Sequence, residues 1–429
     1  MDFRAWATLL IFAASLTLIA KGKLKAATST LLGASLMVIT GLISGEEAVA
    51  SIDHNTIGLL VGMMIIVGIL SKSGLFQFMA VKAIKITKGN AVLIFWIISL
   101  LTATLSAFLD NVTTVLLVTP VVLSLCDLIS MNPMPLLFAE LFASNIGGTA
   151  TLIGDPPNMI IGSVAGFSFN DFIMTATPVS LIVLAAVTEL VALYYKREIK
   201  ADPAASGRLK DVDESKLIVN RPLMIKSVII IFFVLLGFIL CRMINVEAST
   251  VALTGAGLLL AISYADETTI IHNDIEWPTL IYFISLFVMG GALRVTGVID
   301  RMAHLLIVIL AGNPLLMLLG ILWISGITCM FVNNIAYTTI FVRVVQAMAT
   351  AAHIPAAPLF WALAFGACLG GNGTYFGAAA NAVVVDFAAK EGMPVSFGSF
   401  CRLGVRAVLL SLVIASIGLV VIGWPVISK

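Results

Sequence analysis

The chain has 429 residues, of which 60% are hydrophobic and only 11% charged. Soluble domains carry about 25% charged residues, so this is an integral membrane protein, and its long continuous apolar runs exclude a β-barrel and predict an all-α polytopic fold. The net charge of +1 offers no basic surface for nucleic acid, and the five cysteines (Cys126, Cys241, Cys329, Cys368, Cys401) have no metal-type spacing and read as buried small side chains.

Hydropathy and helix breakers give the elements in chain order. Asp2 and Arg4 flank the first apolar run without a convincing cleavage site, so residues 5–20 are read as a membrane helix rather than a leader. Helices are predicted over 26–43 and 56–70. Residues 75–88 carry Lys82, Lys85 and Lys88 on one stripe, which suits a helix lying in the interface, with a short span as the alternative. Residues 91–129 are apolar but broken at LDNVTT (109–114). They read as a re-entrant hairpin with a polar tip, or else as two full spans.

Next comes SNIGGTATLIGDPPN (144–158), between two apolar half-segments at 136–143 and 159–164. Neither half reaches the roughly 20 residues a spanning helix needs; together they do. Non-helical backbone at membrane depth survives only where protein or a water-filled cavity satisfies it. This stretch is therefore a candidate site. A helix over 174–195 follows, then a hydrophilic loop, 196–226, rich in Lys and Arg.

The second half repeats the first at an offset of 223 positions. Thr56 matches Thr279, Gly68 matches Gly291, Asn90 matches Asn313, Asn111 matches Asn334 and Pro135 matches Pro358. Gly147, Gly148, Thr151, Gly154 and Asn158 match Gly370, Gly371, Thr374, Gly377 and Asn381, the last five lying in a second broken segment, GGNGTYFGAAAN (370–381). A second hairpin is expected at about 315–348. Paired interruptions in two halves point to a secondary transporter's binding site.

The expected architecture is two repeats, 1–195 and 223–429, joined by a cytoplasmic linker at 196–222. Each has about five transmembrane helices, a re-entrant hairpin and a broken helix. With both termini outside, most of the 24 Lys and Arg fall on the cytoplasmic side, and an odd number of spans per half makes the repeats inverted.

Four polar breaks then converge: the tips at 110–114 and 333–338 and the two broken helices. Candidate solute ligands are Asn111, Thr113, Gly148, Thr149, Thr151, Asn333, Asn334, Gly371, Asn372 and Thr374. The threonines equally suit harmless bonds to helical carbonyls. Candidate ion-coupling residues are Asp110, Asn111 and Asp155. Asp110 is an intramembrane carboxylate whose match is the neutral Asn333; its role is ion coupling or tip stabilisation. Asp155, followed by two prolines, is either a helix cap or a proton or cation ligand. Glu140, Glu189 and Asp386 are weaker candidates. Neither tip nor break holds Lys or Arg, which shifts weight to a neutral or cationic solute. No nucleotide-binding or hydrolase motif occurs; an enzyme is not expected, nor a cofactor or metal.

The motif at 143–158, with LDNVTT, resembles the ion transporter superfamily. Within it the resemblance is to the branch of arsenite/antimonite efflux permeases, the pigmentation P protein and D-type sodium/proton antiporters. The resemblance implies a first ion site of Asp110, Asn111 and the 147–154 break, with solute between the tips and breaks. In the superfamily's sodium–dicarboxylate members the tips read Ser-Asn-Thr; Asp110 in place of Ser fits proton coupling. Ala378, Ala379 and Ala380 replace Asp155, Pro156 and Pro157 in the second copy. The expected function is extrusion of arsenite and antimonite, as neutral trihydroxides, across the cytoplasmic membrane in exchange for protons. The alternatives are a sodium/proton antiporter and an organic anion carrier. A soluble arsenic-pump ATPase subunit and a homodimeric state complete the expected partners.

Overall fold

The computed structural model describes residues 2–21, 23–200, 217–263 and 266–427, and among these it is helical, without strands. The first ten helices are α1 Phe3–Ala20, α2 Ala26–Ile39, α3 Gly45–Ala50, α4 His54–Ser71, α5 Leu75–Ile86, α6 Ala91–Ser106, α7 Asn111–Ile129, α8 Met134–Thr149, α9 Pro156–Ala165 and α10 Phe169–Tyr194. The next ten are α11 Arg221–Ile244, α12 Ala248–Ser263, α13 Glu267–Asn273, α14 Trp277–Val295, α15 Val298–Ile309, α16 Pro314–Cys329, α17 Asn334–Ala352, α18 Ala356–Gly370, α19 Ala379–Lys390 and α20 Phe397–Ile427. Residues 201–216 of the expected linker lie outside the described residues. Its last two positions, Arg221 and Pro222, already belong to α11, because Asn220 caps the amide of Leu223.

The order of the first ten helices recurs in the second ten. The packing partners recur too: α6 lies on α8 and α16 on α18, α2 on α14 and α12 on α4, α7 on α19 and α17 on α9. In the last two pairs a hairpin arm packs on the broken helix of the other half.

Local sequence explains the boundaries. Helix α2 stops at Ile39, earlier than the expected 43, because Gly41 takes φ +70 and the amides of Gly41 and Leu42 turn back to Val38 and Met37. Asn90 and Asn313 cap the first arm of each hairpin. Asp110 and Asn333 cap the second arm, accepting from Thr113 and from Ile335 and Ala336 respectively.

Among the described residues seven helices are long and apolar enough to cross a membrane, or up to eight counting the bent pair α15 and α16, which meet at 117°. The hairpin arms α7 and α17, 19 residues each, are among the seven, so each tip sits at the foot of an arm long enough to span.

The core runs along α8 and α18. Every residue of α8 from Pro135 on, and of α18 from Pro358 on, is buried. Helix α11 instead exposes Ile225, Ile229, Phe232, Phe233 and Leu236, a lipid-facing surface. Close approach to the core helices needs glycine. A Cβ on Gly147 would overlap the carbonyl oxygen of Ala103 in α6, and one on Gly370 the carbonyl oxygen of Gly326 in α16. Gly147→Ala and Gly370→Ala are each expected to lower stability by about 1–3 kcal/mol. Gly257→Ala, which meets no atom within 4 Å, is expected to be neutral or stabilising. Unfolding in detergent measures all three.

Candidate functional site

A break in a buried helix leaves amides and carbonyls that need partners. In the first break the Asn158 amide donates to the carbonyls of Gly148, Thr149 and Thr151 at 3.1, 3.2 and 2.9 Å. In the second, the Asn381 amide donates to those of Gly371 and Thr374 at 2.7 and 2.8 Å. Thr151 donates to the carbonyl of Ala107 below the first tip, and Thr374 to that of Met330 below the second. Each pair of contacts is related by the same 223 positions.

Asparagines then tie the breaks to the tips. Asn111 donates to Asn145 Oδ1 at 2.9 Å, and Asn145 donates to Asn372 and Asn381 at 2.8 and 2.9 Å. Asn145 therefore joins the first tip to the second break.

Asp155 is the meeting point of the two tips. Its Oδ1 accepts from Asn111 at 3.5 Å and its Oδ2 from Asn334 at 3.4 Å, with the carboxylate 1% exposed. It stands at the N-cap of α9, but its side chain caps nothing. The reason is chemical: Pro156 and Pro157 have no N–H, and the Asn158 amide bonds the Asp155 carbonyl. Asp110 is the side chain that caps. It accepts from the amide and hydroxyl of Thr113 and is partly buried.

A cavity of about 430 Å³ reaches this junction. Asp110, Asn111, Asp155, Glu276, Asn333 and Asn334 line it, and Lys25 is its one basic lining residue. The Tyr282 hydroxyl, also on the wall, donates to Asn333 at 3.4 Å. A second cavity, about 250 Å³, shares Asp110 and Glu276 and carries Thr113, Leu116, Leu117 and Asp274.

Of the residues expected from the sequence, Asp110, Asn111, Asp155, Asn333 and Asn334 come together on the first cavity. Thr149 does not line it; its hydroxyl donates to the carbonyl of Asn145 at 2.8 Å. Thr151 and Thr374 are spent as above, and Thr113 on Asp110. Gly148 and Gly371 serve by their carbonyls and by letting Gly154 and Gly377 approach. Asn372 accepts from Asn145 and keeps a buried amide nitrogen without a partner.

Sequence reasoning passed over Asn145, Glu276, Tyr282 and Lys25. Asn145 was inside the motif, but its match in the second copy is Cys368, so the repeat gave it no support. Glu276 stands at the N-cap of α14, followed by Trp277 and Pro278, and reads as an ordinary helix start.

Residues 9–366 match the citrate transporter family, CitMHS. The chain belongs to this family. The CitMHS protein is 37% identical to a 46 kDa membrane protein of Mycobacterium leprae, over 95% of this chain and 96% of that one. It is 38% identical to an uncharacterized transporter of Mycobacterium tuberculosis over the same shares. It is 30% identical to the mouse P protein over 91% of this chain and 57% of that protein. Its fold resembles the YdaH transporter of Alcanivorax borkumensis at TM-score 0.60, with 14% identity over 99% of this chain and 100% of that one. It also resembles MtrF of Neisseria gonorrhoeae at TM-score 0.60, with 10% identity over 98% and 95%. The chain is thus a multi-pass membrane transporter; the resemblance to the P protein expected from the motif holds.

Asn145→Ala would leave the Asn111 amide only its long bond to Asp155 and would strand the side-chain oxygens of Asn372 and Asn381. It is expected to cost about 1–3 kcal/mol or more. Thr104→Ala, at an exposed hydroxyl bonded to its own helix, is expected within about 0.5 kcal/mol of the wild type. Thermal unfolding of the two variants in detergent tests the difference.

Proposed function

We propose that this CitMHS protein is a secondary carrier of the cytoplasmic membrane. It works by alternating access between two inverted repeats, residues 1–195 and 223–429. Asp155 is the coupling group. The observation that carries this reading is the single carboxylate held by both hairpin tips. Ionised, it only accepts hydrogen bonds and suits both asparagine amides. Protonated, one oxygen becomes a donor facing an amide donor, and that tip loses its bond. Proton binding at one atom thereby changes how the two repeats are tied together.

The cavity is lined at one place by Lys25, which follows Lys21 and Lys23 in a segment that the positive-inside rule assigns to the cytoplasm. In this reading the conformation faces inward, with both termini outside. The solute is a small uncharged hydroxide of the arsenite or antimonite type. Three carboxylates and one lysine on the wall repel a polyanion, whereas amides and carboxylates suit a hydroxylated neutral molecule. Efflux of this solute in exchange for protons follows. The second reading is uptake of a carboxylate such as citrate, favoured by the description of the matched family. It requires protons or cations to neutralise the wall. Sodium/proton exchange at Asp155 and Asp110 is the third.

Purified protein in liposomes under an imposed pH gradient separates these readings through arsenite, sodium and citrate fluxes. Gradient-driven arsenite flux is expected, and Asp155→Asn should reduce it by at least about tenfold, or about 1.4 kcal/mol. Citrate or sodium flux without arsenite flux would transfer the assignment to the matching alternative. Full gradient-driven flux in Asp155→Asn would remove the coupling role.

A further inference from the structure

We propose that Glu140 is a second proton-binding group of this carrier, distinct from Asp155; the proposal rests on the proton-coupled reading above. Glu140 lies in α8, 0% exposed. One carboxyl oxygen accepts from the hydroxyl of Thr119 in α7 at 2.5 Å. The other is buried without a hydrogen-bond partner.

The second half of the chain demonstrates that packing does not require this pair. At the same offset Thr119 becomes Val342 and Glu140 becomes Leu363, both buried at 1% and 0%. Helices α17 and α18 therefore pack together with buried apolar side chains at these two positions. A polar pair with an unsatisfied oxygen is the costlier choice for the same contact. An ionisable group kept inside a membrane at such a cost is a functional site by default.

No cation answers Glu140 among the described residues. Helix α6 has no titratable side chain. Helix α7 brings the buried Cys126 and, next to it, Asp127, neither of them a cation. Helix α18 brings Cys368, which donates to Asn158 at 3.4 Å. On α19, Asp386 and Lys390 pair with each other at 2.6 Å and are well exposed. On α10, Asp171 pairs with Arg242, Glu189 is exposed, and Tyr194 meets Tyr195 edge-on. Without a counter-ion the charge on Glu140 must be carried by a proton while α7 and α8 stay packed.

A route for that proton exists. Pro120 follows Thr119 and has no N–H, so the Leu116 carbonyl lacks its helical donor and α7 can flex there. The second cavity reaches Leu116 and Leu117, within a turn of Thr119. When α7 shifts against α8, the O–H bond of the Glu140 acid breaks. The proton passes to water in that cavity as hydronium, and the carboxylate keeps the electron pair; the return step reverses this.

Infrared difference spectra of the full-length protein, wild type against Glu140→Gln, test the proton directly. A carbonyl band of a buried protonated acid, present in the wild type at neutral pH and absent from the variant, is expected. Carboxylate bands alone in the difference would overturn the proposal. The double variant Thr119→Val with Glu140→Leu copies the second half's contact and should unfold at the wild-type temperature or higher. Its pH profile of arsenite or citrate flux should shift while KM stays within twofold. An unchanged profile in this folded variant would equally overturn the role. If wild-type flux has no pH dependence, the proton-coupled reading fails, and the infrared band still decides whether Glu140 holds a proton.

Discussion

The structure depends on one constraint: broken helices in a membrane must satisfy their own backbone. Two helices are interrupted in the middle of the protein, α8–α9 and α18–α19. Their freed carbonyls are collected by Asn158 and Asn381, and their freed space is filled by the hairpin tips. Once that is met, only a few polar groups remain uncommitted. Asp155, with no amide left to cap, is the one carboxylate that the two tips share. A site formed this way is tied to both halves at once.

The near-symmetry of the scaffold makes its departures informative. Packing partners, caps and break-closing hydrogen bonds recur at 223 positions, from Asn90 and Asn313 to Thr151 and Thr374. At three buried or tip positions where the recurrence fails, the carboxylate stands in the first half. Asp155 faces an alanine, Ala378, in the second; Asp110 faces Asn333, and Glu140 faces Leu363. Asp110 and Asn333 do the same capping work, so that exchange changes charge without changing structure. The first half thus carries the two acids at the tip and break, Asp110 and Asp155, the second half adds Glu276 on the cavity wall, and both halves supply the amides.

Much of this was legible in the sequence, because it is written in breakers and in a gap-free offset. The two breaks, the polar tips at 110–114 and 333–338 and the five cavity-lining residues Asp110, Asn111, Asp155, Asn333 and Asn334 follow from polar and Gly/Pro positions inside apolar runs. The threonines were misleading because a hydroxyl beside a break has carbonyls within reach, and Thr149, Thr151 and Thr374 all use them. The roles of Asp110 and Asp155 depend on which amides are free. That is visible only once Pro156, Pro157 and Asn158 are seen to leave none for Asp155. Lys25 reaches the cavity from the start of α2, and Glu276 and Tyr282 from α14, which no local spacing connects to the tips.

A double-mutant cycle between Asp155 and Asn334, read from unfolding free energies in detergent at two pH values, tests the central claim most directly. Asp155→Asn and Asn334→Ala should couple by about 0.5–3 kcal/mol at high pH, where the carboxylate accepts from the amide. The coupling should weaken at low pH, where one carboxyl oxygen carries a proton and the two tips compete for the other. Additive effects at both pH values, or a coupling indifferent to pH, would contradict the account.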